Sequence, residues 1–149
     1  MHHVEIRDFY EMQAAVMEHR GPYSQIGSVF AGVAEVFSKH RLWERATGLA
    51  VGFYYDPPDA PTPRAHAGMI VSAGPLPAPL EIKMIAAGRY AVLRHIGPYD
   101  GLPAAWDFLY RIGLVGLDID DALPFELNPN GPMNALPVDY ITDICVKLR

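Results

Sequence analysis

The sequence predicts an α+β fold built from two copies of one strand–helix–strand–strand unit. The copies are expected to be related by a pseudo-two-fold axis, with antiparallel sheets and a cleft between the halves. Three observations predict this. The pentapeptide His-x-Gly-Pro-Tyr stands at His19-Arg20-Gly21-Pro22-Tyr23 and again at His95-Ile96-Gly97-Pro98-Tyr99, 76 residues apart in a chain of 149. A repeat at half the chain length marks a duplicated supersecondary unit. The apolar residues that follow also repeat at that offset: Ile26, Val29, Phe30, Val33 and Val36 fall on Leu102, Ala105, Trp106, Leu109 and Ile112. Both sets have the spacing of an amphipathic helix. Finally, each such helix is followed by two runs rich in β-formers, parted by a proline-rich loop.

Taken in chain order, Val4–Phe9 is a short leading strand. Residues 13–19 form the first strand of the first copy, weakened by Ala14 and Ala15. Gly21-Pro22 makes the turn into a helix, and Ser24 is placed to cap it with its side-chain oxygen. Strands at 49–55 and 65–72 flank the loop 56–63. Residues 73–79, Ala-Gly-Pro-Leu-Pro-Ala-Pro, are a stiff connector. The second copy opens with a strand at 89–96, turns at Gly97-Pro98, and starts its helix with Asp100 as the equivalent cap. Pro103 stands in the first helical turn, where a missing N–H costs little. Strands at 123–128 and 140–148 flank the loop 129–137. The organisation expected is one domain over residues 1–149: repeat 1 at about 4–72, a linker at 73–80, and repeat 2 at about 81–149. One helix and three strands cannot cover both of their faces alone, so the copies are expected to share a core.

Composition narrows function. Net charge is −5, with no cluster of Lys and Arg, which argues against direct nucleic-acid binding and favours neutral or cationic small molecules. No apolar run approaches the ~20 residues of a membrane span, and the N-terminus has no signal-peptide pattern. With a single cysteine, Cys145, set in an apolar strand pattern, the chain fits a reducing cytoplasm, and the thiol is expected to be buried and inert.

Phosphate-binding glycine loops, CxxC pairs, HExxH and Gly-x-Ser-x-Gly are all missing, so no metal or cofactor is expected. His19 and His95 end equivalent strands, where a bond to nearby backbone is the simplest role. Among the acids, Glu126 differs. It lies in an apolar strand run, Leu123-Pro124-Phe125-Glu126-Leu127-Asn128-Pro129. Aligning Asn128-Pro129 with Asp56-Pro57 places Glu126 where the first copy has Tyr54. Glu126 is thus either a functional acid facing a shared cleft or a rim residue facing water. Trp106 is the repeat equivalent of Phe30 and can pack the core or wall a pocket. Tyr110, four residues on, shares its helix face.

These features together resemble the GyrI-like small-molecule-binding domain. The resemblance rests on the two His-x-Gly-Pro-Tyr corners, Tyr-Tyr-Asp-Pro-Pro, Phe-Glu-Leu-Asn-Pro-Asn and the duplicated layout. It covers about residues 4–148. That family includes gyrase-inhibitory proteins and the effector-binding halves of multidrug-sensing transcription regulators. The resemblance implies an aromatic groove with a central acid, which maps onto Glu126, and Tyr54, Trp106, Tyr110 and Tyr140 are the aromatics assigned to it. The regulators' helix-turn-helix region has no counterpart in this sequence, so a stand-alone ligand-binding form is expected. Three functions stay open. The first is binding of an amphipathic or cationic aromatic molecule. The second, implied by the family, is hydrolysis of cyclopropanoid electrophiles with Glu126 as general base. The third is contact with a protein partner, as in gyrase inhibition. The sequence does not fix the oligomeric state.

Overall fold

The computed structural model describes residues 2–149. Its elements are β1 (Val4–Phe9), β2 (Met12–Arg20), α1 (Gly27–Lys39), β3 (Ala46–Tyr54), β4 (Arg64–Val71), β5 (Glu81–Ile85), β6 (Gly88–Ile96), α2 (Leu102–Phe108), β7 (Phe125–Asn128) and β8 (Ile141–Lys147). The chain divides into two units. One is Glu11–Ala86; the other joins the N-terminal segment through Tyr10 to Ala87–Arg149.

In the unit of Glu11–Ala86 the strand order is β3-β4-β2-β5, all neighbours antiparallel. Helix α1 packs on one face of these strands. Its stripe of Val29, Val33 and Phe37 meets Ala15, Ala67 and Val71 in a buried cluster completed by Leu42 and Leu80. The small residues of β2 and β4 are what let the helix and the strands approach. Gly68 sets how closely the two strands themselves approach: a Cβ there would lie 1.8 Å from the Ala15 carbonyl oxygen.

In the other unit the order is β1-β6-β8-β7, again antiparallel. Helix α2 and the turn that follows it cover Ala91, Leu93, Ile144 and Val146 with Ala105 and Leu109. Leading strand β1 therefore pairs with β6, from the second half of the sequence. Conversely β5, at the start of that half, pairs with β2. Glu81–Ile85 does alternate polar and apolar residues, but the run is short and follows directly on the proline-rich connector, so the expected layout has no strand there.

Both pentapeptide corners are built alike. Gly21 and Gly97 have φ of 122° and 137°, a region open to glycine. The Gly21 N–H donates to Pro63 O, and the Gly97 N–H donates to Tyr140 O. His19 Nε2 lies 2.9 Å from Pro22 O, and His95 Nε2 lies 3.0 Å from Pro98 O. The backbone role expected for both histidines is the one observed.

The helix starts differ from expectation. Neither Ser24 nor Asp100 caps a helix with its side chain; both sit inside short 3-10 turns, Tyr23–Gln25 and Tyr99–Gly101. Pro22 and Pro98 initiate those turns, so each α-helix begins only at Gly27 or Leu102. Pro103 stands in the first turn of α2 as expected. The second helix is also shorter than its apolar spacing implies. After Phe108 it widens into a π turn, Leu109–Gly113, closed by the Leu114 N–H on Leu109 O. Gly113 there passes so close to Val4 that a Cβ would sit 2.8 Å from Val4 Cγ2. Cys145 is buried, and burial pushes its thiol far above the ordinary range, as expected of an inert cysteine.

Candidate functional site

Glu126 is the second residue of β7, directly opposite Ile144 of β8. Opposed residues share a face, so Glu126 emerges on the side that α2 covers. Its partner comes from that helix: Trp106 Nε1–H donates to Glu126 Oε2 at 2.6 Å. Glu126 is only 6% exposed, which removes the alternative of a rim residue facing water. Burial raises its carboxyl to about 7, while the Trp106 N–H holds it below where burial alone would put it.

Two aromatic pairs lie on the same unit as this carboxyl. The Trp106 and Tyr110 rings are nearly parallel, at 7° and 6.0 Å between centroids. Tyr110 is half exposed, so the pair runs from the buried acid out to solvent. Tyr140 is buried and stacks on Tyr99 at 4.7 Å. The nearby Tyr140 and Glu126 both add to the burial that raises the Tyr99 hydroxyl above its usual range. Tyr99 belongs to the pentapeptide but is not among the site residues the sequence suggests; it reads as a corner residue until the ring stack is seen.

The Phe-Glu-Leu-Asn-Pro-Asn segment also has a structural task. Asn130 Oδ1 accepts the Ile141 N–H at 2.7 Å, and its Nδ2 donates to Asp139 O. Thr142 Oγ1 donates to Asn128 Oδ1. These bonds clamp the loop between β7 and β8 and fix where Tyr140 leads into β8.

Tyr54 belongs to the other unit. It ends β3, meets Tyr23 edge-on at 4.9 Å, and folds back over Gly52. The structure thus brings Glu126, Trp106, Tyr110 and the Tyr99–Tyr140 stack together within one unit, and places Tyr54 among the aromatics of the second.

A second buried acid escapes sequence reading. Asp143 lies on β8 between Arg94 and Arg7, taking two bonds of 2.9 Å from Arg94 and a longer one of 3.5 Å from Arg7. It alternates with Thr142 and Ile144, so it points to the sheet face away from α2. Its charge is answered by guanidinium, whereas the neutral indole is the hydrogen-bond donor to Glu126. Among the described residues no group of His, Cys, Asp and Glu could hold a metal ion.

This combination of a two-unit antiparallel fold and a buried acid among aromatics is that of a small-molecule-binding domain. The chain belongs to the GyrI-like small molecule binding domain family, whose match covers residues 2–149. Solved structures share the fold. The C-terminal domain of EcmrR superposes with a TM-score of 0.76 at 15% identity, covering 100% of this chain and 98% of that one. EcmrR in its DNA complex gives 0.78 at 16% identity over 99% of this chain, which spans 57% of the EcmrR chain. SAV2435 bound to tetraphenylphosphonium gives 0.59 at 15% identity, covering 99% of this chain and 94% of that one. A hydrolase from Listeria innocua gives 0.60 at 14% identity, covering 98% and 91%. No curated protein matches the chain.

Proposed function

We propose that this protein binds amphipathic aromatic cations, with Glu126 as counter-charge and Trp106, Tyr110, Tyr99 and Tyr140 as walls. The observation that carries the reading is the buried Glu126 carboxyl, held by a neutral indole N–H and pushed up to about 7. A buried carboxylate without a cation is costly, and a desolvated cation both relieves that cost and gains about 1–2 kcal/mol from aromatic faces. SAV2435, a protein of the same fold, was solved with such a cation bound. The similar strand orders of the two units, and the use of one corner design in both, support a duplicated ancestry. By strand register the first repeat's counterpart of Glu126 is Gly52 rather than Tyr54: His19 and His95 oppose Ala65 and Thr142, and two residues on, Ala67 and Ile144 oppose Gly52 and Glu126. Tyr54, whose ring folds back over Gly52, serves as an aromatic contact on its own unit.

The test is calorimetry with tetraphenylphosphonium and with a neutral aromatic of similar size, on wild type and Glu126→Gln. Cation binding weakened roughly 10- to 100-fold by the substitution, with neutral binding little changed, supports the reading. Equal affinity in both proteins sinks it. One observation favours a second reading: a carboxyl near 7 is poised to act as general base at neutral pH. In a hydrolase of cyclopropanoid electrophiles Glu126 would activate water, and turnover lost in Glu126→Gln would separate that from binding alone. If neither binding nor turnover is found, a protein partner, as in gyrase inhibition, becomes the reading to pursue. No helix among the described residues is long and apolar enough to cross a membrane. A cytoplasmic setting, without direct nucleic-acid contact, belongs to the same proposal.

A further inference from the structure

A hydrogen-bonded chain of three side chains lies on the unit of Glu11–Ala86 and shares no residue with the Glu126 site. Tyr55 Oη is 2.8 Å from His66 Nδ1, and His66 Nε2 is 3.0 Å from Glu81 Oε2. Tyr55 directly follows β3, His66 lies on β4, and Glu81 opens β5. An ionised carboxylate only accepts, so Glu81 fixes the imidazole proton on Nε2 and leaves Nδ1 free to accept from the tyrosine. This is the pattern of an activated nucleophile: an O–H on a base, and the base oriented by a third group.

Two cations flank the phenol. Lys83 Nζ lies 5.0 Å from the Tyr55 ring centroid and 5.3 Å from that of Phe53; Arg64 Cζ lies 5.9 Å from the Tyr55 ring. As positive charges close to the ring, they favour the phenolate that forms when the proton leaves. Glu18, directly across β2 from His66, is committed to Arg20, and Arg64 also pairs with Asp56. Lys83 carries no ion pair of its own among those of the described residues. Tyr55 and Lys83 are half-buried, whereas the Glu81 side chain is 57% exposed, so the chain of bonds runs to the surface.

We propose that Tyr55 is a nucleophile for acyl transfer from activated esters, with His66 as its base and Glu81 as the residue that positions His66. In the first step the Tyr55 oxygen forms a bond to the acyl carbon, and its proton passes to His66 Nδ1. The bond to the leaving oxygen then breaks, and that oxygen takes the proton from His66. In the second step water attacks the acyl-tyrosine, giving its proton to His66, which returns it to the departing phenolate. The products are a carboxylic acid and an alcohol or phenol.

The experiment uses p-nitrophenyl acetate on the full chain, with release of p-nitrophenol followed optically and the acetyl group located by peptide mass spectrometry. Its internal controls are the other tyrosines, including Tyr10, which is 92% exposed. Acetylation at Tyr55 at least tenfold faster than at Tyr10 is expected. Tyr55→Phe should abolish the fast phase of p-nitrophenol release without altering acetylation at Tyr10. His66→Gln should slow Tyr55 acetylation at least tenfold, and Glu81→Gln should shift its pH profile while leaving a melting curve close to wild type. Tyr55 reacting no faster than Tyr10, or reacting equally well in His66→Gln, overturns the proposal. Thermal melts of each variant separate lost chemistry from lost fold. Failure here leaves the Glu126 reading untouched, since that reading is scored by cation binding.

Discussion

The Trp106–Glu126 bond sets two opposing influences on one carboxyl. Burial favours the protonated acid, and the indole N–H favours the carboxylate. Trp106→Phe keeps a ring at the wall and deletes the donor. Hydrogen bonds to charged groups are worth about 1.5–3 kcal/mol, so the Glu126 midpoint is expected to rise from about 7 by roughly 1–2 pH units. Carboxyl carbon NMR through a pH titration reads this directly, and an unmoved midpoint would show that the indole does not govern the acid. Glu126 is legible in the sequence because an acid inside an apolar strand run is conspicuous. Asp143 is not, since its neutralising partners Arg94 and Arg7 sit 49 and 136 residues away in sequence. The Tyr55–His66–Glu81 chain is hidden for the same reason: its members meet only when three strands align.

At the scale of elements, the longer strand runs carry clear signals, whereas the short β5 and the helix starts do not. The β-formers of β6 and β8 alternate or cluster as buried strands must, so residues 89–96 and 140–148 can be read within a residue or so. Ser24 and Asp100 mislead because capping potential is local, whereas the Gly-Pro corner decides how the chain enters the turn. The early end of α2 is equally opaque, because no proline or glycine marks Phe108, and Gly113, which passes against Val4, comes only at the end of the π turn. Gly68 carries the clearest consequence. A methyl there would meet the Ala15 carbonyl at 1.8 Å, which forces β2 and β4 apart. Gly68→Ala should destabilise by about 3 kcal/mol or more, toward the upper end of overpacking costs, as read by urea unfolding. At Gly27 a methyl would meet nothing within 4 Å and the φ is ordinary, so Gly27→Ala should stay within about 0.5 kcal/mol or stabilise slightly. Equal effects at the two glycines would contradict the packing argument.

For the molecule as a whole, Glu126 couples stability to pH with a sign opposite to that of most carboxylates. Asp56 is held below its ordinary range chiefly by bonding to Arg64, and Asp120 by the Ala122 N–H and Lys147. Such groups lend stability that is lost as pH falls. Glu126 is raised from 4.5 to about 7, so the folded state binds its proton more tightly than the unfolded chain. Its contribution is full below about pH 4.5 and is lost as pH rises through about 7, a span worth about 3 kcal/mol. Glu126→Gln cannot ionise, so its stability relative to wild type should climb by about that amount between pH 5 and pH 8. Urea unfolding at a series of pH values measures it, and a difference that stays flat would place the carboxyl in contact with water. A bound cation reverses the balance, because it stabilises the carboxylate that burial penalises. Affinity for tetraphenylphosphonium should therefore be constant above about pH 8 and fall roughly tenfold per unit below the Glu126 midpoint near 7. Near pH 6 binding should release close to one proton, and near pH 8.5 almost none. Calorimetry in buffers of different ionisation enthalpy counts that proton. Binding that is tight at both pH values with no proton released would assign the ligand's charge to some group other than Glu126.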